Sequence, residues 1–318
     1  MTRLPSKASK AVDMPESEMA VVSDCLKLGE YAYKIIDTQY HNIVRREKKV
    51  LDDHDPEHLH SMRVSTRRLR TALQVFAPAI DLPKTANQRR IRAIARVLGV
   101  LRDLDVQLAD LENAYRPRLP ENEQAALDEV IHALKHERKG AFAAMSDFLQ
   151  RSRYHDLKDA YETWLKCPRY QPLAALPLDV VMPDLLSPLL AHLLLHPAWL
   201  IGEVENLDSA ETLHDLRKVC KHVRYQAEFF SDFYNPSFKR WVAEVRDIQD
   251  VLGKLQDTQV LQELLAKYLP KRAKLPTLQQ VIAESQTTAI AQWKEHRPKY
   301  LKAGYRSDLR QLLASPAI

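Results

Sequence analysis

The chain has 318 residues, enough for one large domain or two medium domains with a substantial core. Hydrophobic residues make up 45% and charged residues 28%, and with only six glycines the composition favours a helical fold. The formal net charge of +5 disfavours a general cationic coat for nucleic acid. Three widely spaced cysteines indicate neither a disulfide framework nor a cysteine metal cluster, and they favour a reducing, cytoplasmic location.

In chain order, a polar tail precedes the first helical half. We expect residues 1–17 to form a disordered tail, and because they lack an apolar core they do not resemble a signal peptide. Apolar periodicity and proline positions then define a first half at about 18–150. Its four predicted helices lie at about 18–49, 56–77, 84–115 and 121–149.

A proline-rich linker at about 151–178, with local helix near 153–167, is the best internal boundary. The second half, 179–318, is predicted to contain four further helices, at about 184–203, 209–233, 236–268 and 277–300. Pro197 should kink or break the first of them. Prolines and histidines also interrupt the apolar run at 185–201, so we expect no membrane span.

The segment from His60 to Arg70 carries four arginines and a histidine but no acidic residue. At about 100° per residue, a helix places His60, Arg63, Arg67 and Arg70 on one stripe about 80° wide. Met62, Leu69, Leu73 and Phe76 lie opposite. A solvated face is the simplest interpretation, but such faces usually mix both signs because acid–base pairs three or four residues apart stabilise a helix. A stripe of like charge instead indicates an anionic partner.

The same pattern returns at an offset of 154 residues, where His214, Arg217, Lys221 and Arg224 repeat the stripe. At the same offset, Arg92 matches Arg246 and Gly99 matches Gly253. Two blocks in one register indicate an internal duplication. Mid-helix glycine costs roughly 1 kcal/mol relative to alanine, so we expect a helix or a ligand to approach Gly99 and Gly253 closely. The repeat is broken where Asp250 replaces Arg96 and Gln256 replaces Arg102, which predicts a weaker second site.

The motif His-x-x-Arg-Val-x-x-Arg-Arg-Leu-Arg at 60–70, followed by Leu-Gly-x-Leu-Arg-Asp-Leu-Asp-Val at 98–106, closely resembles the CHAD family (conserved histidine α-helical domain). The resemblance extends over about residues 20–310 and is looser in the second half. It implies an all-α fold of two antiparallel four-helix bundles related by a pseudo-two-fold, with a basic groove or pore between them that binds inorganic polyphosphate at polyphosphate granules. The Glu-x-Glu-x-Lys motif of the triphosphatase domain fused to many relatives is absent from this sequence, which therefore resembles a stand-alone member.

We therefore expect a non-catalytic polyphosphate-binding protein without cofactor or metal. Arginine forks suit phosphate oxygens, and lysine acts as a point charge. The expected binding residues are His60, Arg63, Arg67, Arg70, Arg92, Arg96, His214, Arg217, Lys218, Lys221, Arg224 and Arg246. Asp103, Asp105 and Asp257 are expected to orient arginines rather than to bind a metal. Two alternatives remain open: a granule-associated or nucleic-acid-binding regulator that grips a phosphate backbone, and a phosphatase with His60 as nucleophile.

Overall fold

The computed structural model describes residues 26–202, 207–270 and 273–317, and within these ranges the fold is helical without a strand. The predicted tail at 1–17 and the predicted helix start near residue 18 lie outside them. The α-helices of the described ranges are α1 (Leu28–Val44), α2 (Glu47–Asp52), α3 (Pro56–Val75), α4 (Gln88–Asp110), α5 (Glu121–Gln150), α6 (Ser152–Lys166), α7 (Leu178–Leu194), α8 (Leu207–Phe230), α9 (Pro236–Tyr268), α10 (Pro276–Tyr300) and α11 (Ala303–Ala314).

The helices that carry the repeated motifs lie close to their predicted positions, whereas four other segments differ. The single helix predicted at 18–49 is divided into α1 and α2 by a turn at residues 45–46. The linker contains a full helix, α6, whose Tyr154, Tyr161 and Trp164 are buried. Helix α7 begins at Leu178, before the expected position, and continues through two internal prolines. The last predicted helix ended at about Tyr300, but the structure has one more helix, α11, whose Leu309 and Leu313 are buried.

Each half places its motif helices next to each other. In the first half α3 packs against α1 and α4, and α4 packs against α5. In the second half α8 packs against α7 and α9, and α9 packs against α10. The apolar side of α3 is buried as predicted, with Met62 and Leu69 at 0% exposure. This burial turns the cationic side of α3 away from the core.

Several contacts join the two halves, where α3 meets α8, α5 meets α9 and α1 meets α7. The rings of Phe76 and Phe230 meet edge to face with their centroids 6.1 Å apart. The buried carboxylate of Glu123 accepts hydrogen bonds from the backbone N–H groups of Thr277 (3.0 Å) and Leu278 (3.2 Å), and so caps α10 from α5. The halves therefore share one continuous interior.

Helix α7 and the turn after it form the most apolar stretch of the described residues. Leu178–Leu200 is long and apolar enough to cross a membrane by length and composition alone, with a mean hydropathy of 1.6. The prolines and histidines within the run had led us to expect no span. The criterion of length and composition is weak, because core helices also satisfy it. Met182, Leu186 and Leu190 are buried, and α7 packs against α8 and α11. Pro197 opens a short 3₁₀ turn after the end of α7, so it marks a break and not a kink.

Candidate anion-binding site

Local signals at the start of α3 fix the orientation of the first cationic stripe. Asp55 is the N-cap and accepts a hydrogen bond from the backbone N–H of Glu57 at 2.9 Å, while Pro56 occupies the first turn, where its missing N–H has no cost. With the helix start fixed and the apolar side buried, Arg63, Arg67 and Arg70 project from the opposite side.

The first stripe and α4 together line a cavity of about 250 Å³. Its lining consists of one alanine and five arginines: Ala95, Arg63, Arg67, Arg70, Arg92 and Arg96. Arg63 pairs with Asp103, but no carboxylate among the described residues lies within ion-pair distance of the other four arginines. Arg63, Arg67 and Arg70 are half-buried, whereas Arg92 and Arg96 are exposed. Like charges gathered around one cavity repel one another, so the arrangement favours a polyanionic occupant.

Glycines on the neighbouring helices provide room for one arginine of each stripe. A Cβ atom built on Gly99 would lie 3.9 Å from Nε of Arg63, and one on Gly253 would lie 3.5 Å from Nε of Arg217. The close approach predicted from the shared glycine is therefore made by an arginine of the preceding helix. Longer side chains at either glycine would push the guanidinium away from its position.

The two stripes meet across the contact between α3 and α8. The guanidinium carbon of Arg67 lies 4.0 Å from the ring centroid of Tyr225, and that of Arg224 lies 4.4 Å from the same ring. Both contacts are cation–π interactions, so the aromatic ring holds two like charges next to each other. The sequence analysis missed Tyr225, whose only signal is its position beside Arg224.

A second cavity, of about 360 Å³, lies next to the first and shares Arg63 with it. Arg217 and Lys221 of the second stripe also line it. The Nε atoms of Arg63, Arg67 and Arg217 are buried and have no hydrogen-bond partner among the described residues. Buried donors without partners are costly, so these three arginines are held here at the expense of stability.

Burial and neighbouring cations shift the pKa values of the second stripe. Burial, followed by Arg217, Arg63 and Arg67, lowers the pKa of Lys221 to about 8, and only Asp257 opposes the shift. Burial also lowers the pKa of Arg67, with smaller contributions from Arg224 and Arg63. The pKa of His214 is lowered by burial and then by Lys218 and Arg217, which favours a neutral ring.

Three carboxylates, those of Asp103, Asp110 and Asp257, also line the second cavity, so its three cations are not free of opposite charge. Asp103 accepts a hydrogen bond from Arg63 at 3.2 Å, and Asp257 lies 3.9 Å from the equivalent nitrogen of Arg217. Asp105 instead binds Arg138 of α5 at 2.6 Å, away from the stripe arginines. In the described part of the chain, no three histidine, cysteine or acidic side chains form a potential metal site.

Four predicted residues lie at the margin of the cavities or outside them. His60 is exposed, and no described residue pairs with it. Arg246 is exposed, and it lines neither arginine cavity. Lys218 is paired with Asp215 at 2.8 Å. His214 lines a separate, mostly apolar cavity.

Arg224, the last residue of the second stripe, is already engaged on two sides. Its Nε donates to Gln249 at 3.0 Å, and its Nη1 pairs with Glu228 at 2.8 Å. The structure therefore brings together the three arginines of the first stripe with Arg92 and Arg96, but not His60. The second stripe reaches the second cavity through Arg217 and Lys221.

Comparisons with known proteins agree with the all-helical fold. The CHAD domain profile matches residues 34–266. The CHAD domain from the plant Ricinus communis is similar in structure, with 25% identity, a TM-score of 0.60 and coverage of 93% of this chain and 95% of that one. PptA from Streptomyces chartreusis is similar in fold, with 17% identity, a TM-score of 0.56 and coverage of 90% and 99%. No curated protein matched the sequence. The chain belongs to the CHAD domain family.

Proposed function

We propose that this protein binds inorganic polyphosphate without catalysis, in the two joined cavities between α3, α4, α8 and α9. The observation that carries the proposal is the cavity lined by five arginines and one alanine. A phosphate chain would neutralise these charges and accept hydrogen bonds from the guanidiniums that line the cavity. Polyphosphate has no bases, so the absence of a stacking platform along this cavity does not count against it.

We infer that the two stripes are copies produced by internal duplication, with the halves related by a pseudo-two-fold as two four-helix bundles. Contacts between equivalent residues support this inference, because Phe76 meets Phe230 and Glu123 meets Thr277, each pair at the offset of 154 residues. Such pairing is expected near a two-fold axis. The matching approaches of Arg63 to Gly99 and of Arg217 to Gly253 add to it.

The decisive variant for binding is the double substitution Arg63→Ala with Arg67→Ala. Charge-assisted hydrogen bonds contribute about 1.5–3 kcal/mol each, so we expect affinity for inorganic polyphosphate to fall at least about a hundredfold, measured by equilibrium titration. Helical content, measured by circular dichroism, should not change. The matched control is Arg45→Ala with Arg310→Ala, which removes the same charge from exposed positions. Equal affinity for both double variants would contradict the site assignment.

In the cell we propose a cytoplasmic protein associated with polyphosphate granules. A phosphatase that uses His60 would need an acid partner or a metal, and His60 is an exposed residue with no such partner among the described residues. Incubation of the protein with polyphosphate should therefore release no phosphate. Release that is abolished by His60→Ala would replace the binding proposal with the enzymatic one.

A further inference from the structure

A third cavity, of about 290 Å³, lies beside the cationic site in the second half and has a different character. Its floor is apolar and includes Leu213, Leu252 and Leu255. Amide side chains of α9 and α10 and the ring of His214 supply its polar groups. A mostly apolar cleft with a few convergent polar groups is the usual form of a small-molecule site, whereas a phosphate chain prefers cations throughout.

This amide cavity borders the phosphate site at Gln256. The Gln256 side chain lines both the amide cavity and the cavity of Arg63, Arg217 and Lys221. Within the described ranges, no side chain hydrogen-bonds to Gln256, so its amide is available to a ligand. A ligand that occupies both cavities would carry an uncharged planar group next to its phosphates.

The polar groups of the amide cavity are donors and acceptors without a fixed charge. The Nδ1 atom of His214 is buried and has no partner among the described residues. Gln286 is held in place by a hydrogen bond of 3.2 Å from its Nε2 to the Thr258 hydroxyl, which leaves its carbonyl oxygen unused by that contact. A neutral imidazole and amides can each both donate and accept, as the edges of nucleobases require.

The first half has no such amide set at the positions 154 residues earlier. Arg102, the counterpart of Gln256, lies 3.9 Å from Glu57, and Asp105, the counterpart of Gln259, binds Arg138 at 2.6 Å. The second half has thus replaced ion-paired residues with amides over an apolar floor. The departure from repeat symmetry falls where a neutral ligand group would sit.

We propose that the amide cavity binds the nucleoside part of a nucleoside polyphosphate while Arg217, Lys221 and Arg63 hold its phosphates. The apolar floor would cover a face of the base and the amides would meet its edge. This inference rests on the proposed function, because the same cations bind the phosphates. Affinity would then depend on the base as well as on charge.

The test compares ligands of equal phosphate number on the full chain by calorimetry, in metal-free buffer at near-physiological salt. Adenosine and guanosine 5′-triphosphate carry less negative charge than inorganic tripolyphosphate, so charge alone favours tripolyphosphate. Base contacts should reverse that order, and we expect at least one nucleoside triphosphate to bind about tenfold more tightly than tripolyphosphate. Tripolyphosphate binding as tightly as both nucleotides would overturn the proposal.

Two variants fill the cavity from opposite sides, so that a folding defect in one does not decide the outcome. Ala210→Phe on α8 and Ile290→Phe on α10 should each abolish the preference for the nucleotide and leave tripolyphosphate affinity within about twofold. The control is Ala283→Phe, on an exposed position of α10 outside the lining. A nucleotide preference that survives in both filled variants would place the base elsewhere and overturn the proposal.

The same titrations separate this inference from the proposed function. If long polyphosphate binds but the nucleotide shows no advantage over tripolyphosphate, the nucleoside inference fails and polyphosphate binding stands. If neither long polyphosphate nor any triphosphate binds, both fail together. Arg217→Ala should weaken the nucleotide and tripolyphosphate alike, because it removes a phosphate contact and no base contact.

Discussion

The two cationic stripes occupy equivalent helices, yet their surroundings differ. Around Arg67 and Arg70 of the first half, the cavity lining contains five arginines and no carboxylate. In the second half, Arg224 is held by Glu228, and Asp250 stands where the first half has Arg96. We therefore expect equally spaced cations to differ in binding capacity. What matters is whether the protein has already neutralised them.

The largest effect we expect comes from breaking each stripe at matched positions. Arg63→Ala with Arg67→Ala should lower polyphosphate affinity at least about a hundredfold, and Arg217→Ala with Lys221→Ala only about tenfold. The carboxylates do not distinguish the pairs, because Asp103 lies near Arg63 as Asp257 lies near Arg217. The difference lies in the second residue: Arg67 keeps its charge, while Lys221 is partly deprotonated above neutral pH. Equilibrium titrations of both double variants under one buffer provide the measurement. Equal losses would mean that the halves contribute equally.

The two stripes could be predicted from the sequence because their pattern is local. The spacing of His60, Arg63, Arg67 and Arg70 and its repetition require only helical geometry. All-helical architecture followed from few glycines and clear apolar periodicity. The CHAD resemblance named the family that the profile comparison supports.

The features of the site that the sequence did not predict depend on tertiary contacts. Tyr225 lies between Arg67 and Arg224 only because α3 and α8 cross there, and no sequence pattern encodes that crossing. The engagement of Arg224 by Glu228 and Gln249 likewise depends on packing. Arg246 matched the repeat but is an exposed residue outside both arginine cavities.

A stability difference between the halves gives the second prediction. Arg138 binds Asp53 through both oxygens at 2.7 Å and Asp105 at 2.6 Å, and Asp105 is only 7% exposed. Arg138→Ala should lower the free energy of unfolding by about 3 kcal/mol, because it leaves a buried carboxylate unpaired. Gln292 occupies the position 154 residues after Arg138 and is bound only to Lys254 among the described residues. Gln292→Ala should change the free energy of unfolding by less than about 0.5 kcal/mol. Urea denaturation measures both, and equal costs would contradict the contrast.

The third prediction uses the pKa of Lys221, which is lowered to about 8. An anion needs the protonated amine, so affinity should be highest below pH 8 and fall as the pH rises through that value. From pH 7 to pH 9 we expect a loss of about fivefold to tenfold. The Arg217, Arg63 and Arg67 guanidiniums that face Lys221 keep their charge over this range. Lys221→Arg should make the profile flat, and an unchanged profile in that variant would assign the pH dependence elsewhere.

The smallest effects concern the two glycines. The nearest described side-chain atoms to a new Cβ lie at 3.9 Å for Gly99 and 3.5 Å for Gly253, so alanine fits at both. Gly99→Ala should raise the free energy of unfolding by about 0.5–1 kcal/mol, and Gly253→Ala by less because its contact is tighter. Polyphosphate affinity should stay within about twofold. Gly99→Leu, by contrast, should weaken binding by displacing Arg63, and no loss in that variant would contradict the role of the glycine.

The central claim is that the cations form a dedicated groove and not a general basic surface. A salt titration of polyphosphate affinity, with duplex DNA as competitor, tests it most directly because counterion release makes any polyanion salt-dependent. We predict that polyphosphate stays bound near physiological salt while DNA is displaced, since Arg63, Arg67 and Arg217 line recesses of about 250 and 360 Å³, which are too small for a duplex. Parallel loss of both polyanions would contradict the groove and favour binding to nucleic-acid backbone.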